Sequence, residues 1–450
     1  MDTVLTGKTR RANVCFRFGG LGERTNGVLG LSDSRNFYCD NGTIKAVCTA
    51  PVLLGNGQNT SYSKAEVSAI RRLKRYSETG ETHSKHFLFM TNTGEVKGQK
   101  NALANLYDFS QSGIGMGEMI DFIDGNYRSW GAVFGDKKCL LIDDQFLSSE
   151  LSVEKPNGTG CYFKHRLFVA VKPSALVYSA VDELTNFSSS LNDGGKISFP
   201  NGGGEIVAIR PFKGMLYLFF EYGILKLDIK GFPKQFSTEK IEYKGGKIYG
   251  RTVCAGENAI LFMADDGAYR LDGRSVKEVC HGFVKLPYAE SKTEGAATWK
   301  GKVFIRYQVH NGKYETLCVS EDGKGCFYLD DTPAISQGEG GEVIFWNKEF
   351  NLVKLCEEGT AYNYEATLST LDTDMGTPKC KLLTKIKLIG KGVCVLGIQN
   401  GKRMQKRLVE FVDGYAEIHL HERGEIFSFA IDTFSFAEVR EMNVEMRLPA

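Results

Sequence analysis

An all-β fold organised as a β-propeller of about six blades is what this sequence predicts, on three observations. The first is repetition. Between Lys164 and Gly273, a short run of alternating apolar residues meets a glycine-containing turn and is answered by another such run, three times over. That is the pattern of antiparallel strands joined by tight turns. The second is composition. Glycine is used 51 times and proline 10 times, an excess that supplies the positive φ values of many turns, and 29 Phe with 19 Tyr suit strands. The third is spacing. Larger units recur every roughly 40–50 residues, the length of a four-stranded blade.

Along the chain, residues 1–60 read as irregular with short strands, and Asp40-Asn41-Gly42 marks a hairpin. The run from Glu66 to Tyr76 fits a helix or a strand. Strand is preferred, because the flanking segments are hairpin-like. Residues 99–128 break the pattern with helix-compatible stretches around SGIGMG and read as an insertion. Strands resume at Ser129, turning at Gly135-Asp136. Further hairpins centre on Lys172-Pro173, Phe212-Lys213-Gly214, Asp265-Asp266-Gly267, Asn311-Gly312, Asp322-Gly323 and Trp346-Asn347-Lys348. The count is six blades, with five or seven open, and no WD40 or kelch signature is present. The propeller is placed at 61–364. Residues 365–450 carry longer, smoother strands and read as an additional β-sandwich-like C-terminal region.

Composition narrows the function. At 42% hydrophobic and 24% charged the chain can bury a large core, and its net charge of +2 does not mark a strongly basic nucleic-acid binder. The twelve cysteines are scattered with no CxxC pair and read as small buried hydrophobes in a reducing compartment. The N-terminus lacks the apolar core of a signal peptide, and no run reaches the length of a membrane span.

Chemistry-bearing constellations are weak. His419 and His421 share a strand face, yet no third ligand stands at a telling spacing, so no metal is expected. Gly202-Gly203-Gly204 leads into a strand, where a phosphate loop needs a helix, so no nucleotide or other cofactor is expected. Asp143-Asp144 and Asp330-Asp331 read as turn residues rather than a glycosidase pair. Asp265, Asp266 and Asp272 read as turn geometry rather than a calcium loop. The strongest contact candidate is the basic run Arg71, Arg72, Lys74, Arg75. It suits non-specific phosphate contact in a DNA channel, or a solvated or inter-subunit face.

Four stretches carry a family resemblance: His165–Ala170, Leu176–Phe187, Gly204–Leu227 and Arg251–Gly273. Asn26–Val47 and Glu425–Met446 add to it. Together they resemble the nozzle (tail tubular protein B) and tail hub (packaged-DNA stabilisation) proteins of short-tailed bacteriophages. The resemblance is dense only over about residues 160–275, and residues 99–128 have no counterpart. It implies a non-enzymatic virion protein of the tail, assembled in the host cytoplasm. Such a subunit forms a ring, usually a hexamer, around the DNA exit channel below the portal and adaptor. Its partners would be copies of itself, the portal or adaptor, other tail proteins and the passing genome. The alternatives are a glycan-binding or glycan-cleaving propeller, which needs Trp130, Trp299 or Trp346 to converge with carboxylates at one mouth, and a peptide-binding scaffold.

Overall fold

The computed structural model describes residues 9–21, 27–51, 67–73, 75–77, 80–82, 86–99, 106–109, 113–188, 194–230, 236–291, 293–337, 341–347, 351–357, 360–361, 365–401 and 403–449. They form an all-β protein with two compact units. One comprises Met1–Ala50, Leu317–Asp330 and Leu355–Ala450; the other comprises Pro51–Thr316 and Asp331–Lys354. No helix of the described residues is long and apolar enough to cross a membrane.

The second unit is the propeller. Its blades begin with the strands Val67–Arg72, Gly117–Ile123, Pro156–Phe163, Ile206–Phe212, Cys254–Ala255, Gly295–Trp299 and Ser336–Gln337. Each of these touches the next, and Ser336–Gln337 touches Val67–Arg72, so seven first strands close a ring. Six of them head separate sheets, in keeping with the expected count of about six; the remaining one, Gly295–Trp299, pairs with Lys302–Gln308.

The second strand of each blade explains the most hydrophobic runs in the sequence. Phe87–Thr91, Arg166–Val171 and Ile260–Ala264 are buried at every position. A strand covered on both faces needs no polar side, so it reads as a continuous apolar run. The covering comes from neighbouring blades. Leu88, Met90, Val133 and Leu140 fill the space between the first and second. Phe134, Leu141, Leu167 and Val169 fill the next space. Phe168, Ile209 and Leu218 follow, then Phe219, Phe262 and Leu271. Ile70, Phe89 and Trp346 pack the seventh blade on the first. The core is thus a set of wedges between blades.

The segment 99–128, read from sequence as a helix-compatible insertion, is corrected. Leu106–Asp108 is the outer strand of the first blade and Gly117–Ile123 the inner strand of the second. No α-helix occurs among the described residues. Met119 joins the wedge on one side and Phe122 the wedge on the other. Two residues three apart share a helix face but fall on opposite faces of a strand. The preference for strand at 66–76 agrees with Val67–Arg72. Gly117 is required by packing: a Cβ there would sit 1.7 Å from the Phe134 carbonyl oxygen on the paired strand.

The first unit is discontinuous in sequence. The region expected to be irregular contains the 13-residue strand Thr9–Leu21. This strand pairs with Ala437–Pro449 and, in parallel, with Val28–Arg35. Val28–Arg35 pairs with Ala366–Thr370, which pairs with Ser428–Thr433. Ser428–Thr433 pairs with the 20-residue strand Lys381–Asn400, which returns to Ala437–Pro449. Six strands thus pair in a closed circuit. A register shift between Leu383 and Lys385 lets Leu383 and Ile386 both be buried, as a β-bulge does.

Two further strands, Arg403–Glu410 and Tyr415–Gly424, each pair only with Lys381–Asn400 among the described strands. The hairpin Asp40-Asn41-Gly42 is as expected, with Asn41 and Gly42 at φ 50° and 81°. All twelve cysteines are free thiols. Seven are buried, and burial pushes Cys139 and Cys394 up to about 12.

Candidate functional site

The ring of first strands encloses a cavity of about 240 Å³ on the propeller axis, wholly within the second unit. Its lining comes from all seven first strands or the turns beside them, and it includes five charged side chains: Arg71, Glu118, Arg210, Arg251 and Glu294.

Arg210 and Glu118 are a matched pair. Arg210 donates from Nη2 to Glu118 Oε1 at 2.7 Å and from Nη1 to Oε2 at 3.0 Å, a two-pronged contact. Thr159 donates its hydroxyl to the same Oε2 at 2.9 Å, and Arg210 Nε donates to the Val253 carbonyl at 2.8 Å. The pair stitches blades two, three, four and five together at the axis.

Arg71 and Arg251 have different anchors. Arg71 donates from Nε to the Met119 carbonyl at 2.8 Å and from Nη1 to the Ile70 carbonyl at 2.9 Å. Arg251 donates from Nη2 to the Gly117 carbonyl at 2.8 Å. Desolvation lowers the pKa of both guanidinium groups.

Glu294 is 2% exposed. Its Oε1 accepts the Ser291 N–H at 2.9 Å, and its Oε2 is buried with no hydrogen-bond partner. Burial pushes the carboxyl up to about 8 and Glu290 adds to the rise, while the Ser291 N–H, Arg251 and Arg306 oppose it. The folded protein therefore holds a proton here that the unfolded chain releases above the ordinary value of 4.5. Stability from this group is complete at low pH and is lost as pH climbs toward 8. The expected result is a urea midpoint that falls between pH 5 and pH 9, with a shallower fall in Glu294→Gln, read by denaturation at three pH values.

The basic run singled out in the sequence does not form one face. Strand alternation sends Arg71 to the axial cavity, while Arg72 lies 3.6 Å from Glu342 and over the Phe87 ring at 5.8 Å. Lys74 lies outside the described residues, as does the side chain of Arg75.

The other candidates are dispersed. Asp330 bonds to Arg35 and Asp331 to Arg306, so they do not act as a pair. Asp265 accepts the Lys247 N–H and Asp266 the Gly246 N–H, both at 2.8 Å. Asp272 accepts the N–H groups of Arg274 and Ser275 at 2.9 Å. These are turn contacts. His419 and His421 are exposed, and the described residues contain no group of three or more His, Cys, Asp or Glu placed to hold a metal. Trp346 is buried in the wedge against Phe89, and Trp299 ends the first strand of the sixth blade. Trp130 donates to Asp124 Oδ2 at 2.9 Å and borders a recess of about 350 Å³ with Tyr127, Arg128, Asp143 and Asp144.

Sequence reading missed Glu118, Arg210, Arg251 and Glu294. A signal existed: charged residues recur at roughly the blade repeat within or beside half-apolar strands.

In the first unit, a different surface stands out. Met404 and Leu408 on Arg403–Glu410, with Val412 and Tyr415 in the turn beyond, are exposed apolar side chains, Leu408 at 75%. Met404 and Leu408 lie on a strand with one unpaired edge among the described residues.

No protein-family model matches the chain, and no curated protein matches it. Among solved structures it is similar to a streptogramin B lyase, at 11% identity over 67% of this chain and 96% of that one, with a TM-score of 0.44. It is also similar to virginiamycin B lyase from Staphylococcus aureus, at 10% identity over 66% and 97% of the two chains and a TM-score of 0.45. A third similar structure is the computationally designed Ika8 protein, at 9% identity over 66% and 98% and a TM-score of 0.40. At these identities nothing about activity passes to this chain.

Proposed function

We propose that this chain is a structural, non-catalytic subunit of a bacteriophage tail that assembles with copies of itself into a closed ring around the DNA exit path. The sequence resemblance over residues 165–273 supports the tail assignment and implies six copies. The observation that carries assembly is the outlying strand Arg403–Glu410. Among the described residues it has one unpaired edge, and it exposes Met404 and Leu408. Large apolar side chains grouped on a strand with an unpaired edge suit a partner surface. Arg403, Lys406 and Arg407 on the same strand supply charge that discourages indiscriminate edge pairing before assembly.

Light scattering with negative-stain electron microscopy of the purified chain tests this reading. A mass of several copies with a central channel is the expected result. A monomer that stays monomeric when mixed with portal and adaptor rings would overturn it.

A glycan-binding reading keeps one supporting observation, the recess where Trp130 and Tyr127 meet Asp143 and Asp144. Asp143 Oδ1 is occupied by the N–H groups of Gln145 and Leu147, which favours a turn role. A glycan array separates the two readings.

A further inference from the structure

The sheet of the first unit carries three arginines in one row. Arg11 on Thr9–Leu21 lies directly opposite Arg447 on Ala437–Pro449. Arg447 lies opposite Leu382 on Lys381–Asn400, and Leu382 lies opposite Arg423 on Tyr415–Gly424. Residues directly opposite across paired strands share a face, so the three arginines stand on the same side of the sheet. Neighbouring strands lie about 4.8 Å apart, which puts Arg11 and Arg423 about 14 Å from each other at the backbone. All three are exposed, and Leu382 between them is half-buried.

The carboxylates around the row are committed elsewhere. Among the described residues, none of the three guanidinium groups has an acidic side chain within ion-pair distance. On the same face, Glu445 stands two residues before Arg447, and it lies 3.8 Å from Lys385 in the next row. Lys385 also holds Glu417 at 3.5 Å. Glu422 precedes Arg423, so strand alternation turns it to the other face, where it accepts a hydrogen bond from Gln405. Arg11 and Arg447 are therefore like charges directly opposite each other, an arrangement that costs a sheet stability. A bound polyanion offsets that cost. The net charge of +2 conceals the row, because the excess is local.

The form of the row points to the class of anion. Guanidinium forks match phosphate oxygens two at a time. One strand of duplex DNA carries a phosphate per about 3.4 Å of helix axis, so about four phosphates fall within 14 Å. A row of forks with only a leucine between them contacts backbone and reads no bases.

We propose that Arg11, Arg447 and Arg423 form a seat for the phosphate backbone of duplex DNA. The seat deepens the tail reading by naming the surface that meets the genome. It rests on that reading only for the choice of duplex DNA among nucleic acids.

Fluorescence anisotropy of the full chain with a labelled duplex tests the seat. Between about 50 and about 200 mM salt, three phosphate contacts give a log–log slope of at least about −2.7. Arg11→Gln, Arg447→Gln and Arg423→Gln should each reduce the magnitude of the slope by about 1. The triple variant should bind at least tenfold more weakly at the low-salt end, and the exposed control Lys240→Gln should bind like the parent. A second duplex of unrelated sequence should bind alike. Circular dichroism checks folding, and if the triple variant does not fold, the single variants decide. Absence of binding at low salt overturns the proposal, as does binding that the arginine variants leave unchanged. Polyglutamate that competes as well as unlabelled duplex at equal charge also overturns it, since the surface would then suit any polyanion. Light scattering on the same samples keeps the two readings apart. A monomer that binds duplex through these arginines upholds the seat without the ring, and a ring that does not bind sinks the seat alone.

Discussion

Replacing Arg210 by methionine is expected to destabilise the protein by about 3–5 kcal/mol, the range seen when one partner of a buried ion pair is removed. Glu118 would keep its charge in the axial cavity with only the Thr159 hydroxyl as a donor at close range. The carbonyls of Val253 and Ile209 would lose the guanidinium that caps them. The side chains of Arg210 and Glu118 are 18% and 14% exposed, so water offers limited relief. The pair itself is weak evidence of net stability, since desolvating two charges offsets much of their attraction. The double variant Arg210→Met with Glu118→Leu is therefore expected to recover most of the loss. Urea denaturation of the single and double variants gives the cycle. Equal losses in the Arg210→Met and double variants would mean that packing, not an orphaned carboxylate, governs the site.

Substituting Leu408 by aspartate should have its largest effect on assembly. The side chain is 75% exposed, so the folded subunit has little to lose, and the urea midpoint should move by no more than about 0.5 kcal/mol in equivalent stability. If Arg403–Glu410 is the ring contact, a charge at its most exposed apolar position must be buried unpaired in the assembled state. That costs several kcal/mol per contact and, repeated around a ring, should leave monomers at micromolar concentration. Sedimentation velocity of the parent and Leu408→Asp proteins reads this directly. Rings of unchanged stability in the variant would move the interface elsewhere on the subunit.

Much of the blade structure is written locally. A turn such as Asp265-Asp266-Gly267 and the apolar run ILFMA before it need only their neighbours to be recognised, because tight turns and two-sided burial each impose a residue pattern. The helix-compatible reading of GEMIDFI failed for a related reason. Met119 and Phe122 suit one helix face as well as two strand faces, and only the wedges on either side of the blade decide between them.

The axial site left only one trace in the sequence, charge recurring at roughly the blade repeat. Arg71, Glu118 and Arg210 lie on separate first strands and Arg251 and Glu294 just before two others, so only ring closure brings them together. The six-strand circuit was equally hidden, since it joins Thr9–Leu21 to Ala437–Pro449 across nearly the whole chain.

By itself, the sequence determined that this protein is made of short antiparallel strands turning on glycine, because those choices are dictated by residues within a few positions of one another. Only the tertiary structure decided which charges meet on the axis and which strand edges remain unpaired. Both depend on ring closure, which brings together residues that no local pattern connects.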